Sequence, residues 1–242
     1  MSYCKDPAFK FSQDVASRSQ KLLSSKLLLE DRLDSLRVVA GLDVSYARLG
    51  DVELGVGVVS LVEWSNMKPI SSFYTIKPIC VPYIPGLLAF REMEVLAPLV
   101  SRVVDEVDLI VVDGHGIAHP RYFGIASHIG LAFDKPSVGV AKHKLVGVVT
   151  VDSGRKVVIH GGRIVAEVVE SGGRELYVSP GHRVSLETAV ALVSRMILRP
   201  GELPEPTRLA DVISKKIKAE ILKKQRLDSA LYGRVFELKP LY

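Results

Sequence analysis

"RVVAGLDVSYARLGDVELGVGVVSLVEWSNMKPISSFYTIKP", residues 37–78, decides the fold. It contains three runs rich in β-branched and aromatic residues, "RVVAGLDVSY" (37–46), "DVELGVGVVSLVEW" (51–64) and "ISSFYTIKP" (70–78). Turn-prone "ARLGD" and "SNMKP" separate them. Such runs bounded by Gly, Pro, Asn and Asp predict strands. Connections this short join neighbours that run in opposite directions, so an antiparallel three-strand meander is expected.

Downstream the apolar spacing changes. "LLAFREMEVLAPLVSRVVDEV" (87–107) has helical periodicity, with Pro98 placed to kink or break it. "DLIVV" (108–112) then reads as a strand, "RYFGIASHIGLAFD" (121–134) as a helix and "KPSVGVA" (135–141) as a strand. Strands alternating with helices imply parallel pairing through right-handed crossovers. Short strands resume between Val157 and Ser179, and "SLETAVALVSRMIL" and "PTRLADVISKKIKAEILKK" close the chain as helices. Upstream, Val15, Leu22, Leu23, Leu27, Leu29 and Leu33 recur at helical spacing and predict a helix or two. The class is α/β. The order matches a ribonuclease H-like mixed β-sheet, an antiparallel meander plus parallel strands, flanked by helices. No shift in composition marks a boundary, so one domain over residues 1–242 is expected.

Bulk properties limit the setting. With 48% hydrophobic and 24% charged residues, the composition is that of a soluble globular chain rather than a disordered one. The net charge of +5 and pI near 9.1 lean weakly towards a polyanionic partner. Two cysteines, Cys4 and Cys80, are too few for a disulfide framework or a thiolate zinc site and read as free thiols in a reducing compartment. The first residues lack the apolar core of a signal peptide, and no uncharged stretch approaches the roughly 20 residues that span a bilayer. A cytoplasmic location, away from membranes, is expected.

Several polar residues stand where a core would not place them. Asp43 interrupts "VVAGLDV" and Asp113 ends "LIVV", both otherwise apolar. A carboxylate there is costly unless paired, hydrogen-bonded or bound to a cation. If the two strands are parallel neighbours, both acids reach one sheet edge, where open α/β sheets place ligands. Two such carboxylates suit Mg²⁺, which favours hard oxygen donors. The competing reading makes both of them turn formers. Glu92 and Asp211 fall early in helices, where the macrodipole alone favours acids; in "LPEPTR", which leads into the helix of Asp211, Pro204 and Pro206 stiffen the entry and Thr207 can cap. Lys142 follows "SVGVA" and is either a point charge for phosphate or a solvated lysine. His115 and His119 lie in a loop, given Gly116 and Pro120, and the zinc-protease pattern is absent. In "VPYIPG" the prolines hold Tyr83 on a stiff loop, suited to stacking on a base or wedging a duplex, or to packing on its own domain. The lysines of the last helix, among them Lys215, Lys216 and Lys223, form a basic face that is either solvated or tracks a nucleic-acid backbone.

Six blocks in order resemble the endonuclease V family: "GLDVSY", "PYIPGLLAFRE", "VVDGHGIAHPRYFGIASHIG", "SVGVAKHKLVG", "SPGHRVSLETA" and "LPEPTRLAD". The resemblance implies a metal-dependent endonuclease using Mg²⁺, with Mn²⁺ able to substitute. Its substrate would be deoxyinosine-containing DNA, cut at the second phosphodiester 3′ to the lesion to leave 3′-hydroxyl and 5′-phosphate. By the same resemblance, Asp43 and Asp113 match metal-holding aspartates and Glu92 the catalytic glutamate. Asp211 falls where some members carry histidine. Lys142 matches a lysine near the scissile phosphate, and His119 an active-site histidine. Tyr83 matches the wedge tyrosine, while Pro85, Gly86, Leu88, Gly114 and Ile125 match the pocket for the extruded base. His182 is assigned a neighbouring phosphate or structural role. A monomer is expected. Rival readings are an inosine-directed endoribonuclease, a non-cleaving nucleic-acid-binding module and a hydrolase of small phosphates.

Overall fold

The computed structural model describes residues 10–225 and 228–239. Strands β1 (Val38–Leu49), β2 (Val52–Glu63) and β3 (Pro69–Pro78) form the expected antiparallel meander. β2 is buried without a break from Leu54 to Val62, because helices or loops cover both of its faces. β4 (Leu109–Asp113) pairs parallel to β1, and β5 (Ser137–Ala141) parallel to β4. An antiparallel extension follows, built from β6 (Val148–Asp152), β7 (Arg155–His160), β8 (Arg163–Ser171) and β9 (Arg174–His182). A last strand, β10 (Val235–Leu238), pairs with β3. The ten strands make one mixed sheet in the order β10-β3-β2-β1-β4-β5-β9-β8-β7-β6.

Helices cover both faces. On one, α2 (Leu88–Val103) and α3 (Ile125–Phe133) bury Leu96, Leu99 and Ile129 against Leu42, Val59 and Val112. On the other, α4 (Leu186–Met196) buries Val193 and Met196 against Val39, Val111 and Val178. α5 (Glu205–Lys224) sets Ile221 and Ile217 over Ala47, Leu54 and Val56. Side chains alternate along a strand, so the even-numbered residues of β1 serve α2 and α3 while the odd-numbered ones serve the opposite face.

The structure corrects several expectations. α2 runs through Pro98 without a break, held by the buried Val95, Leu96, Leu99 and Val100 around it. α3 begins at Ile125 rather than Arg121, because Tyr122 adopts φ +54° and Gly124 is extended. Of the helix or two expected upstream, the described residues form one, α1 (Gln13–Ser24), and the residues after it run along the sheet. There Leu28 N–H donates to His182 Nδ1, and Arg32 N–H to the Arg183 carbonyl. β6 was missed because it is an edge strand with Val148 and Val151 exposed, so its sequence carries no buried face. Thr207 is not the cap of α5; Pro204 takes that position, and the threonine hydroxyl donates to its carbonyl. Cys80 is disulfide-bonded rather than a free thiol, and Cys4 lies outside the described residues. Among the described residues no helix is long and apolar enough to cross a membrane.

Candidate active site

Register builds the first half of the site. Leu42 of β1 and Val112 of β4 are parallel partners, so Asp43 and Asp113 are the next residues on adjacent strands. Leu42 and Val112 face α2 and α3, which turns both aspartates to the opposite side, where α5 lies. Gly41 is what lets α5 come close. A Cβ at residue 41 would stand 2.0 Å from the Pro206 carbonyl carbon. Asp211 of α5 thereby joins the pair, and carboxylate oxygens of Asp43, Asp113 and Asp211 lie within 4.8 Å of one another.

Cations and hydroxyls hold this cluster. Lys142, just past β5, sets Nζ 2.6 Å from Asp113 Oδ2 and 3.2 Å from Asp211 Oδ1. Lys215 Nζ is 2.7 Å from Asp211 Oδ2. Ser214, fully buried, donates to Asp43 Oδ2 at 2.5 Å. With its proton so placed it accepts from Ser45 Oγ at 2.8 Å, which makes a Ser45–Ser214–Asp43 chain. Sequence reasoning missed both serines. The available signal was spacing: Ser45 is two residues past Asp43 on one strand face, and Ser214 is one helical turn past Asp211.

Burial, then the charges of Asp113 and Asp211, push Asp43 up to about 6, against the Ser214 hydrogen bond and Lys142. Burial also acts to raise Asp211, but Lys215 and Lys142 outweigh it and hold the carboxyl below its usual value. Lys142 is raised, because Asp113 and Asp211 outweigh its own desolvation. Glu92 reaches the cluster's flank from α2, with Tyr46 Oη 3.4 Å from Oε1. Burial, then Asp43 and Asp113, raise it to about 8. The three aspartates hold more negative charge than Lys142 and Lys215 neutralise, and a hard divalent cation fits an all-oxygen donor set of this kind. The cluster could therefore hold a metal through Asp43, Asp113 and Asp211, with Glu92 beside it.

A second feature lies next to it. Tyr83 is 68% exposed at the tip of its loop. Arg91, buried beneath, anchors that loop by donating to the Val81 carbonyl at 2.8 Å while pairing with Glu53 at 2.7 Å. Behind Tyr83 is a cavity of about 140 Å³, and its lining includes Pro85, Gly86, Leu88, Gly114 and Ile125. All five were predicted to line a base pocket; His115 and Leu145, which also line it, were not. Gly86 adopts φ +77°, and a Cβ on Gly114 would stand 2.5 Å from Ile125 Cγ2, so both positions require glycine.

His119 stands in the cavity wall and not among the carboxylates. Its Nε2 lies 2.9 Å from the Gly86 carbonyl, an acceptor, so Nε2 carries the proton. Its Nδ1 accepts from the Arg121 N–H at 3.2 Å. Both ring nitrogens are thus spent on backbone groups, and burial pushes the imidazole down to about 4. The structure does not bring His182 to either place. It pairs with Ser137, at the start of β5, whereas Lys142 follows the strand's other end, about 13 Å of strand away. His182 instead ties the segment after α1 to the sheet through Leu28 and faces Asp134 at 3.4 Å.

Comparison with known proteins places this arrangement. The family model for endonuclease V matches residues 21–212. The endonuclease V of Aeropyrum pernix is 48% identical over 222 residues, covering 91% of this chain and 86% of the relative. The crystal structure of the Bacillus subtilis enzyme superposes with a TM-score of 0.81 at 24% identity, over 90% of this chain and 96% of that one. That of Ciona intestinalis endonuclease V, in complex with a 23mer DNA containing an inosine followed by a ribo-adenosine, gives 0.77 at 25% identity, over 87% and 100%.

Proposed function

The chain belongs to the endonuclease V family, and from that premise we propose that it is a metal-dependent repair endonuclease for deoxyinosine in DNA. It hydrolyses the second phosphodiester on the 3′ side of the lesion and leaves 3′-hydroxyl and 5′-phosphate ends. The observation that carries the reading is the juxtaposition of the three-aspartate cluster with a largely apolar cavity, lined in part by Gly86, Gly114 and Gly124, behind an exposed tyrosine. One feature suits phosphodiester hydrolysis and the other suits an extruded base. The inosine-containing DNA bound by the Ciona relative supports the substrate class.

In this mechanism Asp43 and Asp113 would hold the cation, and Glu92 and Asp211 would accept hydrogen bonds from its waters or hold a second ion. Bound there, Mg²⁺, or Mn²⁺ in its place, would supply an activated water and offset the charge that develops on the leaving 3′ oxygen. Lys142 stands beside the scissile phosphate as a fixed positive charge. Tyr83 wedges the strands apart. Gly86, Gly114, Pro85, Leu88 and Ile125 present backbone and apolar surface to the flipped hypoxanthine, whose Watson–Crick edge differs from adenine by a carbonyl in place of an amino group. His119 acts by holding the Gly86 wall. His182 has a structural role. The chain works as one domain over 1–242 and as a cytoplasmic monomer.

The test incubates the full chain and Mg²⁺ with matched labelled strands carrying inosine in DNA or in RNA, beside EDTA and Asp113→Ala controls. Inosine-dependent nicking of DNA, abolished by both controls, is expected. No cut in either polymer would sink the function; RNA-only cutting would replace it with the endoribonuclease reading. Cutting that persists in Asp113→Ala would remove the metal assignment.

A further inference from the structure

Gln20, on α1, is a buried residue that touches both walls of the cavity, and it lies just outside the segment matched by the family model, residues 21–212. Its side chain is fully buried. A primary amide in that position is costly unless its donors and acceptor are all used. Gln20 Nε2 donates to the Gly86 carbonyl at 3.1 Å and to the Phe123 carbonyl at 3.1 Å. Its Oε1 accepts from Arg121 Nε at 2.6 Å. Both amide protons and the carbonyl oxygen are therefore spent on the loops that form the cavity.

The Gly86 carbonyl receives three donors in all: Gln20 Nε2, His119 Nε2 at 2.9 Å and Arg121 Nη2 at 2.6 Å. A carbonyl oxygen has two lone pairs, so this one is saturated, and a swing of its peptide plane would break three hydrogen bonds. Gly86 itself sits in the left-handed region, where a glycine without such ties has the most freedom to move. Phe123 is fully buried and immediately precedes Gly124 and Ile125, which also line the cavity. One side chain thus spans the Gly86 wall and the Phe123–Ile125 wall.

We propose that Gln20 is a positioning residue for the base pocket: from α1 it fixes the spacing of the two walls, and with it the discrimination of the extruded base. The inference rests on the cavity being the inosine pocket. It assigns to α1 a part in specificity, although α1 contributes no residue to the cavity lining or to the aspartate cluster.

The full chain is compared with Gln20→Ala, the near-isosteric Gln20→Glu and, as a control on the exposed side of the same helix, Lys21→Ala. Glutamate keeps an acceptor for Arg121 but loses both donors to the carbonyls, so it should fail as alanine does. Amide hydrogen exchange without nucleic acid is the first readout. Peptides covering 82–90 and 114–125 should exchange at least about tenfold faster in both Gln20 variants and not in Lys21→Ala, with β1 and β4 unchanged. The second readout is single-turnover cleavage. The half-saturating concentration of inosine duplex should rise about tenfold, about 1.4 kcal/mol, while the saturating rate stays within about twofold. Unchanged exchange in the two walls, or global exchange in both variants, overturns the proposal. So does wild-type inosine preference in variants whose walls have loosened. If the wild-type chain itself has no inosine preference, the functional reading has failed. The exchange result alone then decides whether Gln20 braces the cavity.

Discussion

Gly41→Ala is the sharpest perturbation of the site, because it changes no polar group. A Cβ at residue 41 would lie 2.0, 2.2 and 2.4 Å from three consecutive backbone atoms, the carbonyl carbon and oxygen of Pro206 and the nitrogen of Thr207. Carbon atoms in contact settle at roughly 3.5–4.0 Å, so the start of α5 must retreat by about 1.5 Å. Overpacking of this kind costs about 1–3 kcal/mol, more where backbone cannot yield. For a chain of this size the melting temperature should fall by roughly 2–12 °C. The retreat also carries Asp211 and Ser214 away from Asp43. A hydrogen bond of 2.5 Å between Ser214 and Asp43 does not survive a shift of that size. Cleavage should therefore fall by about 100-fold, the cost of misplacing reacting groups by about 1 Å. Thermal unfolding by circular dichroism and single-turnover nicking of an inosine duplex, both on the folded variant below its transition, read the two effects. A variant that melts within 1 °C of the wild type and cuts at its rate would refute the claim that Gly41 seats α5 against the cluster.

Three further outcomes follow from the same geometry. Millimolar Mg²⁺ should raise the melting temperature of the wild type, since a ligand at about 100 times its Kd adds roughly 2.7 kcal/mol; Asp113→Ala should show no rise in the same scan. Tyr83→Ala should leave the melting temperature unchanged, the side chain being 68% exposed, but should weaken binding of an inosine duplex in EDTA by about 5- to 150-fold, measured by fluorescence anisotropy. His128 is pushed down to about 4 by burial, against an unfolded value near 6.5, and its Nδ1 is buried without a hydrogen-bond partner among the described residues. Between those values the unfolded chain binds a proton that the folded chain refuses. The stability it allows is complete above pH 6.5 and is lost as pH falls towards 4. His128→Leu should therefore flatten the acid arm of a urea-midpoint-against-pH curve; an unchanged slope would contradict the assignment.

What was legible in the sequence followed from local rules. Repeats of Val and Ile between Gly, Asn and Asp turns gave the meander, and the alternation after Gly86 gave the parallel strands β4 and β5. Those two readings together put Asp43 and Asp113 at one edge, as the Leu42–Val112 register bears out. Elements without a buried face to pattern, such as edge strands β6 and β10, left no trace. Capping was misread at α5 because proline and threonine there compete for one position, and only the packed backbone shows which one takes it.

The sequence by itself determined the meander, the alternation that carries β4 and β5, the two strand-borne aspartates and the stiff loop that presents Tyr83, because each depends on neighbours within a few residues. Tertiary structure alone decided that Asp211 and Ser214 meet Asp43, across 168 and 171 residues of chain, through a contact permitted by the missing side chain of Gly41. It also decided that His119 faces a backbone carbonyl, that His182 stands at the far end of β5, and that Gln20 spans the cavity walls. A hydrogen-bond partner or a crowded carboxylate is a property of distance in space. Periodicity along a chain records only which face a residue is on, not what arrives there from elsewhere.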